Sequence, residues 1–356
     1  MNGPGSGRSR LTRRTVCALA ALALVLFALK AASTMGWLGH GMFDKSDALR
    51  LGAYEGDVGA LEWIAQDQGH YSQSGLSVEL KGYSSGRDAM LALRAGEVDV
   101  ATASEYVVAT HSVKEADLRI LGSISYYRNK GLVARRDRGI AEPADLKGKR
   151  IGVTSPSGAE YSLNVFLALH GLSLADVTVV NLAPPQIVAA MLAGDIDAAI
   201  TWQPHVAAIE EKLGGGGVTF SGDGFDTYLL LVTRQDKLEA NGGAMKKLMR
   251  AMVQSEEWVQ AHPEEAKRYV ATRFQLDAAY VAALWPKMPL EVTLPQELLV
   301  ALDGEARWLA RKSGQPNAAI PNYAVFIHSD ELKAAKPSAV TLYSEAKGAT
   351  ATGAVR

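Results

Sequence analysis

Two fourteen-residue runs constrain this fold more than any other feature. "LRAGEVDVATASEY" (Leu93 to Tyr106) is echoed by "LAGDIDAAITWQPH" (Leu192 to His205), with Gly96 and Gly194 standing 98 positions apart. In each run a helix-like stretch stops at a glycine, the natural left-handed C-cap, and an acid-aliphatic-Asp step leads into a strand-like stretch. A helix-to-strand turn written twice predicts two units built alike, each copy belonging to one lobe.

The surroundings obey the same grammar. "LRLGAY" (Leu49 to Tyr54) and "LSVELKGY" (Leu76 to Tyr83) read as strands, separated by the helix "ALEWIAQDQG" and followed by the helix "RDAMLALRAG" and the strand "EVDVA". The order restarts with the strand "RIGV", the turn "TSPSG", a helix from Glu160 to His170 closed by Gly171, and the strand "VTVVNL". Pro184-Pro185 then open a helix that ends at Gly194, and "DIDAAIT" reads as the next strand. Alternating strands and helices imply mainly parallel sheets with right-handed crossovers. "GLVARRD" (Gly131 to Asp137) and "YLLLVTRQD" (Tyr228 to Asp236) look like mates where the chain crosses between lobes and back, and two crossings make a hinge. Beyond Thr233 the chain is helical by periodicity, with Pro263 and Pro295 expected at first helical positions, and it must pack on an existing lobe.

The expected organisation is therefore a leader over 1–40, a first lobe over 47–137, and a second over 138–231. Completion of the first lobe with C-terminal helices over 232–330 and a tail over 331–356 follow. The leader pairs arginines 8, 10, 13 and 14 with an apolar run from Val16 to Leu29, shorter than the roughly 20 residues a spanning helix needs. It reads as an export signal, Sec or twin-arginine, with an uncleaved anchor as the competing reading. Cys17 is the only cysteine, so a chain without its leader has no disulfide, thiolate metal site or cysteine nucleophile.

In open parallel sheets small molecules bind beyond the carboxyl ends of the strands. That rule selects Tyr54, Glu55, Ser85, Thr102, Ser104, Ser155, Ser157 and Trp202 as candidate binding residues, on loops rich in hydroxyls and glycine. Helix N-termini at such loops favour an anionic group. Ser155 and Ser157 fit plain N-caps equally well, Trp202 fits the core as well as a stacking wall, and Glu55, Glu105 and Glu160 fit solvated or capping roles.

From about Arg50 to Gln260, "DLKGKRIGV", "SGAEYSL", "VNLAPPQIVAAMLAGDIDAAITWQPH" and "LLLVTRQDKL", in this order and spacing, resemble the substrate-binding proteins of ABC importers for nitrate, sulfonate, taurine and thiamine-precursor-type solutes. The resemblance implies a two-lobed periplasmic-binding fold of type II that closes around its solute by hinge motion. It also implies a small anionic or zwitterionic solute, the membrane subunits of an ABC permease as partner, a periplasmic location and no enzymatic activity. The ligand contacts it implies are the eight candidates above. A membrane-tethered solute sensor of the same fold is the alternative.

Other functions fit less well. "GYSSG" (Gly82 to Gly86) matches a nucleophile elbow, with Ser84 as nucleophile and His328 as base, but a hydrolase elbow follows more strands than precede Ser84 here. The pyrimidine-synthase branch resembling this family uses a cysteine-rich motif, absent after Cys17. The seven histidines are scattered without ligand spacing, so no metal is expected, and no glycine pattern supports a nucleotide or other cofactor. A formal net charge of -1 offers no basic face for nucleic acid.

Overall fold

The computed structural model describes residues 47–220 and 226–342, and the leader read in 1–40 lies outside them. β1 (Ala48–Tyr54), β2 (Ser77–Tyr83), β3 (Val100–Ser104) and β4 (Leu118–Tyr127) belong to one five-stranded sheet. β5 (Lys130–Arg135), β6 (Arg150–Val153), β7 (Thr178–Asn181), β8 (Ala198–Trp202) and β9 (Gly217–Phe220) form a second. β10 (Thr227–Arg234) returns to the first.

The two sheets have the same plan. The first runs β2-β1-β3-β10-β4 and the second β7-β6-β8-β5-β9. In each, three strands pair in parallel, a crossing strand runs antiparallel beside them, and an outer strand pairs antiparallel with the crossing strand. Four of five strands in each sheet therefore point one way, as the alternating sequence requires.

The crossing strands shift the expected boundaries. β5 hydrogen-bonds between β8 and β9, so the chain leaves the first lobe between Tyr127 and Lys130 rather than at 137. β10 lies wholly in the first sheet, so the return precedes Thr227 rather than falling at 231. Pairing partners decide lobe membership, and the arginines that end both strands do not reveal them.

The late helices pack where expected. Helix Gln235–Ala261 buries Ala244, Met245, Leu248, Met249 and Met252 in one core with Leu229 to Val232 of β10. Pro263 does open a helix, whereas Pro295 is the N-cap of helix Gln296–Lys312. The expected tail from 331 begins inside the lobe: Leu332 is fully buried, and Leu294 bridges Val340.

The repeated turn now has a physical explanation. Gly96 and Gly194 adopt φ of +74° and +78°. The acid-aliphatic-Asp step is the turn itself, not part of the strand, since the strands begin at Val100 and Ala198. Its last residue reaches back to the middle of the three parallel strands of its lobe: Asp99 Oδ2 accepts the Arg50 N–H at 3.0 Å, and Asp197 Oδ2 accepts the Arg150 N–H at 2.9 Å. The backbones return the bond, from Asp99 N–H to the Arg50 carbonyl at 2.8 Å and from Asp197 N–H to the Arg150 carbonyl at 2.9 Å. The aliphatic residue packs on a strand glycine: a Cβ on Gly152 would lie 2.5 Å from Ile196 Cδ1, and one on Gly52 would lie 3.3 Å from Val98 Cγ2. The motif is a clamp at the strands' amino ends, opposite the ligand-binding edge.

The two clamps differ in strength. Arg50 grips Asp99 through Nε at 3.0 Å and Nη2 at 2.8 Å, and Lys237 stands 3.3 Å away. Arg150 and Arg138 approach Asp197 only to 3.6 and 3.8 Å. Charged hydrogen bonds contribute about 1.5–3 kcal/mol each to stability. Asp99→Ala is therefore expected to cost about 2 kcal/mol in denaturant unfolding, more than Asp197→Ala. Burial raises the Asp99 pKa, but the Arg50 bonds outweigh it and hold the carboxyl below its usual range. This stabilisation is present above the normal carboxylate pKa and lost as pH falls through the depressed one.

Candidate functional site

Three helices begin at one small cavity between the carboxyl ends of the two sheets. Ser85 caps helix Gly86–Arg94, Ser104 caps helix Glu105–Ser112, and Ser157 caps helix Gly158–Leu169. Ser85 Oγ accepts the Asp88 N–H at 3.2 Å, Ser104 Oγ the Val107 N–H at 3.4 Å, and Ser157 Oγ the Ala159 N–H at 3.2 Å. The capping and the binding readings of these serines thus meet: the hydroxyls hold the helix starts, and the helix starts face the cavity. First-turn N–H groups lack intrahelical acceptors and lie at the positive end of the helix dipole, which suits an anion. At the first of these helices Gly86 is needed for close approach, since a Cβ there would lie 2.8 Å from Ala103 Cα.

The cavity holds about 50 Å³ of space open to water-sized groups, room for three or four of them. Tyr54, Ser85, Ser104, Ser157 and Trp202 line it, five of the eight candidates. Tyr54 and Trp202 face each other across the cleft through hydroxyl and indole. The other three lie elsewhere. Glu55 is exposed and pairs with Arg273 at 3.4 Å. Thr102 lies one pleat deeper, fully buried, with its Oγ1 accepting the Tyr54 N–H at 2.7 Å. Ser155 turns its carbonyl, not its side chain, to the task of accepting Arg87 Nη1 at 3.1 Å from the other lobe.

Three further polar groups were not among the candidate residues, although Arg87 lies in the stretch after β2 that the strand-end rule selects. Arg87, Asn129 and Lys130 all line the cavity. Asn129 is 3% exposed, and among the described residues neither its Nδ2 nor its Oδ1 has a hydrogen-bond partner. A buried amide left unpaired on both atoms is costly and calls for a partner, whether water or a ligand group. Lys130 is 8% exposed and donates to Thr227 Oγ1. Burial pushes the Lys130 ammonium down, while Glu105, Glu305 and Asp226 draw it up. Burial pushes the Glu105 carboxyl up to about 7, opposed by Lys130. Among the described residues lining the cavity there are two cations and no carboxylate. The available signals were the position of Arg87, two residues after the Ser85 cap, and of Asn129-Lys130 at the crossing itself.

The alternative constellation does not assemble. Ser84 follows β2, at one edge of the first sheet and at its carboxyl end. The His328 N–H binds the Ile120 carbonyl near the amino end of β4, the opposite edge, and its ring pairs with Glu331 at 2.7 Å. The described residues contain no group of three or more His, Cys, Asp or Glu placed to hold a metal ion. No helix of the described residues is long and apolar enough to cross a membrane.

Two like-built lobes joined by two crossing strands, with a polar cavity at the crossing, define the class of two-lobed binding-protein folds. The chain belongs to the NMT1/THI5-like family, whose model matches residues 60–266. The taurine-binding periplasmic protein of Escherichia coli is 27% identical over 276 residues, 76% of this chain and 74% of its own. The solved structure of the alkanesulfonate-binding protein SsuA from Xanthomonas axonopodis pv. citri, bound to MOPS, shares the fold. It matches with a TM-score of 0.68 at 21% identity, over 80% of this chain and 98% of that one. An enzyme, the 4-amino-5-hydroxymethyl-2-methylpyrimidine phosphate synthase of Schizosaccharomyces pombe, is 27% identical over a shorter stretch, 39% of each chain. The taurine- and aliphatic sulfonate-binding relatives match over 63% or more of their own length, whereas the desulfurization enzyme DSZB shares the fold at 16% identity, with a TM-score of 0.58 over 99% of its chain.

Proposed function

We propose that this protein captures a small organic anion of the sulfonate class between its lobes and delivers it to an ABC permease. The observation that carries the reading is the convergence of three helix N-termini, Arg87, Lys130 and the unpaired Asn129 amide on a cavity whose described lining has no carboxylate. The taurine-binding relative supports the solute class and a periplasmic site of action. The cavity itself suits the anionic group, and Glu210 and Asp226 in the groove that adjoins it can meet an ammonium at the far end of a zwitterion, so alkanesulfonates and taurine-like zwitterions both fit. Val58, Val107 and Leu229 supply an apolar wall for the carbon next to the anionic group. A wider groove of about 770 Å³ shares Asn129 and Lys130 with the cavity and gives a longer tail a way out. Contacts from both lobes bind the solute only when the lobes meet, so binding favours the closed arrangement.

Thermal-shift screening tests this reading. Butanesulfonate or taurine at one hundred times its Kd should stabilise the fold by about 2.7 kcal/mol, with smaller shifts for nitrate, bicarbonate and pyrimidines. No shift with any of them would sink the solute class. The two aromatic and hydroxyl walls should also be unequal. Trp202→Ala is expected to raise the Kd for butanesulfonate about tenfold by calorimetry, because it removes a large cavity wall and its link to Tyr54. Ser104→Ala and Thr102→Ala should change it less, since one hydroxyl serves a cap and the other the Tyr54 backbone.

A further inference from the structure

Outside the cavity, one cluster joins helix Gln296–Lys312 and Tyr106 of the first lobe to helix Gly158–Leu169 of the second. Tyr106 Oη donates to Glu160 Oε2 at 2.9 Å, and the Lys312 ammonium pairs with Glu160 Oε1. The rings of Tyr106, Tyr161 and Trp308 pack together, with centroids 6.0, 5.7 and 5.7 Å apart, and Lys312 Nζ stands 5.2 Å over the Trp308 ring. Glu160 is 5% exposed and Tyr106 fully buried, although the partners that cover Glu160 come from the opposite lobe. None of Tyr106, Glu160, Tyr161, Trp308 and Lys312 lines the cavity.

We propose that this cluster is a closing latch that sets solute affinity without touching the solute. The bonds to Glu160 and the ring contacts of Tyr161 exist only while the lobes are together. On opening, Glu160 and Lys312 regain water and Tyr161 leaves Tyr106 and Trp308, which stay together within the first lobe, so each interlobe contact of the cluster is added to the closed state alone. Apparent affinity scales with the fraction of protein in the binding-competent state, so a weaker latch raises Kd for all solutes by one common factor. Glu160 occupies the first turn of the helix whose start faces the cavity, so the latch also fixes that helix against the first lobe. This inference rests on the solute-binding reading for its effect on Kd, but not for its effect on closure.

The test labels the two lobes. In a Cys17→Ser background, Leu169→Cys and Val300→Cys place nitroxides at positions that are 64% and 68% exposed, one on each lobe. Pulsed electron resonance on the protein without added anion reads the interlobe distance. Glu160→Gln and Lys312→Met are each expected to lengthen it, and each to raise the Kd for butanesulfonate about tenfold while leaving the rank order of alkanesulfonates unchanged. The double variant should be no worse than the weaker-binding single, as for two ends of one contact. Unchanged distances in both variants, or additive losses in the double, would overturn the latch. Should Glu160→Gln fail to fold by circular dichroism, Lys312→Met gives the same reading, since its side chain is 41% exposed. If no anion binds, the distances still decide the latch, and only the solute class falls.

Discussion

Lys130→Met should destabilise the fold by about 3 kcal/mol at pH 8 and by much less at pH 5. At pH 8 the substitution leaves Glu105 and Glu305 buried beside Asp226 with their shared cation gone. At pH 5 Glu105 is already protonated in the folded protein, because burial holds its pKa up to about 7, so little charge is left uncompensated. The sign follows from linkage. A carboxyl with a raised folded pKa contributes stability that is present below its unfolded pKa of 4.5 and lost as pH rises through about 7. Removing Lys130 pushes that folded value higher and steepens the loss. Urea unfolding at the two pH values measures it. Equal losses at both would show that Lys130 acts through packing rather than charge.

Arg87→Met should raise the Kd for butanesulfonate about a hundredfold, with a change in unfolding free energy under 1 kcal/mol. Arg87 is the more exposed of the two cavity cations, and its one bond across the cleft goes to the Ser155 carbonyl at 3.1 Å. The substitution therefore removes a charge that binding needs and folding does not. Arg87→Lys should recover only part of the affinity, because an ammonium cannot bind the Ser155 carbonyl and a sulfonate with one fixed fork. Calorimetry on the three proteins measures both effects. A Kd for Arg87→Met within threefold of the parent would place the anion elsewhere.

Much of the architecture was legible because it depends on local pattern. Alternating strand and helix signals, glycine stops at Gly96 and Gly194, and the mated crossing segments are all short-range, and each corresponds to an observed element. What escaped depends on distant partners. Asp99 and Asp197 read as strand residues because Arg50 and Arg150, which hold them, lie almost fifty positions earlier. β5 and β10 read as ends of the lobes they leave, because only pairing reveals that each is built into the lobe it enters.

The site divides in the same way. Tyr54, Ser85, Ser104, Ser157 and Trp202 follow from the rule that ligands lie beyond the carboxyl ends of strands. Thr102 failed by one step of depth, since it sits beneath the Tyr54 backbone rather than at the rim. Arg87, Asn129 and Lys130 were not selected because a charge in the first turn of a helix, an amide just before a crossing strand and a lysine at its start look solvated in sequence. Their burial is created only when the second lobe closes on the first.

The position of β10 has a consequence for how the chain comes to exist. The second sheet is drawn from the single stretch 130–220, so it can form as soon as that stretch is available. The first sheet has an open slot between β3 and β4 until a strand from beyond residue 226 arrives to fill it. During synthesis, or while threading out of a narrow channel, the lobe that begins first is finished last. Until then two unsatisfied strand edges with hydrophobic faces stand exposed, so the earliest-made part of this protein is the part that most needs protection from aggregation.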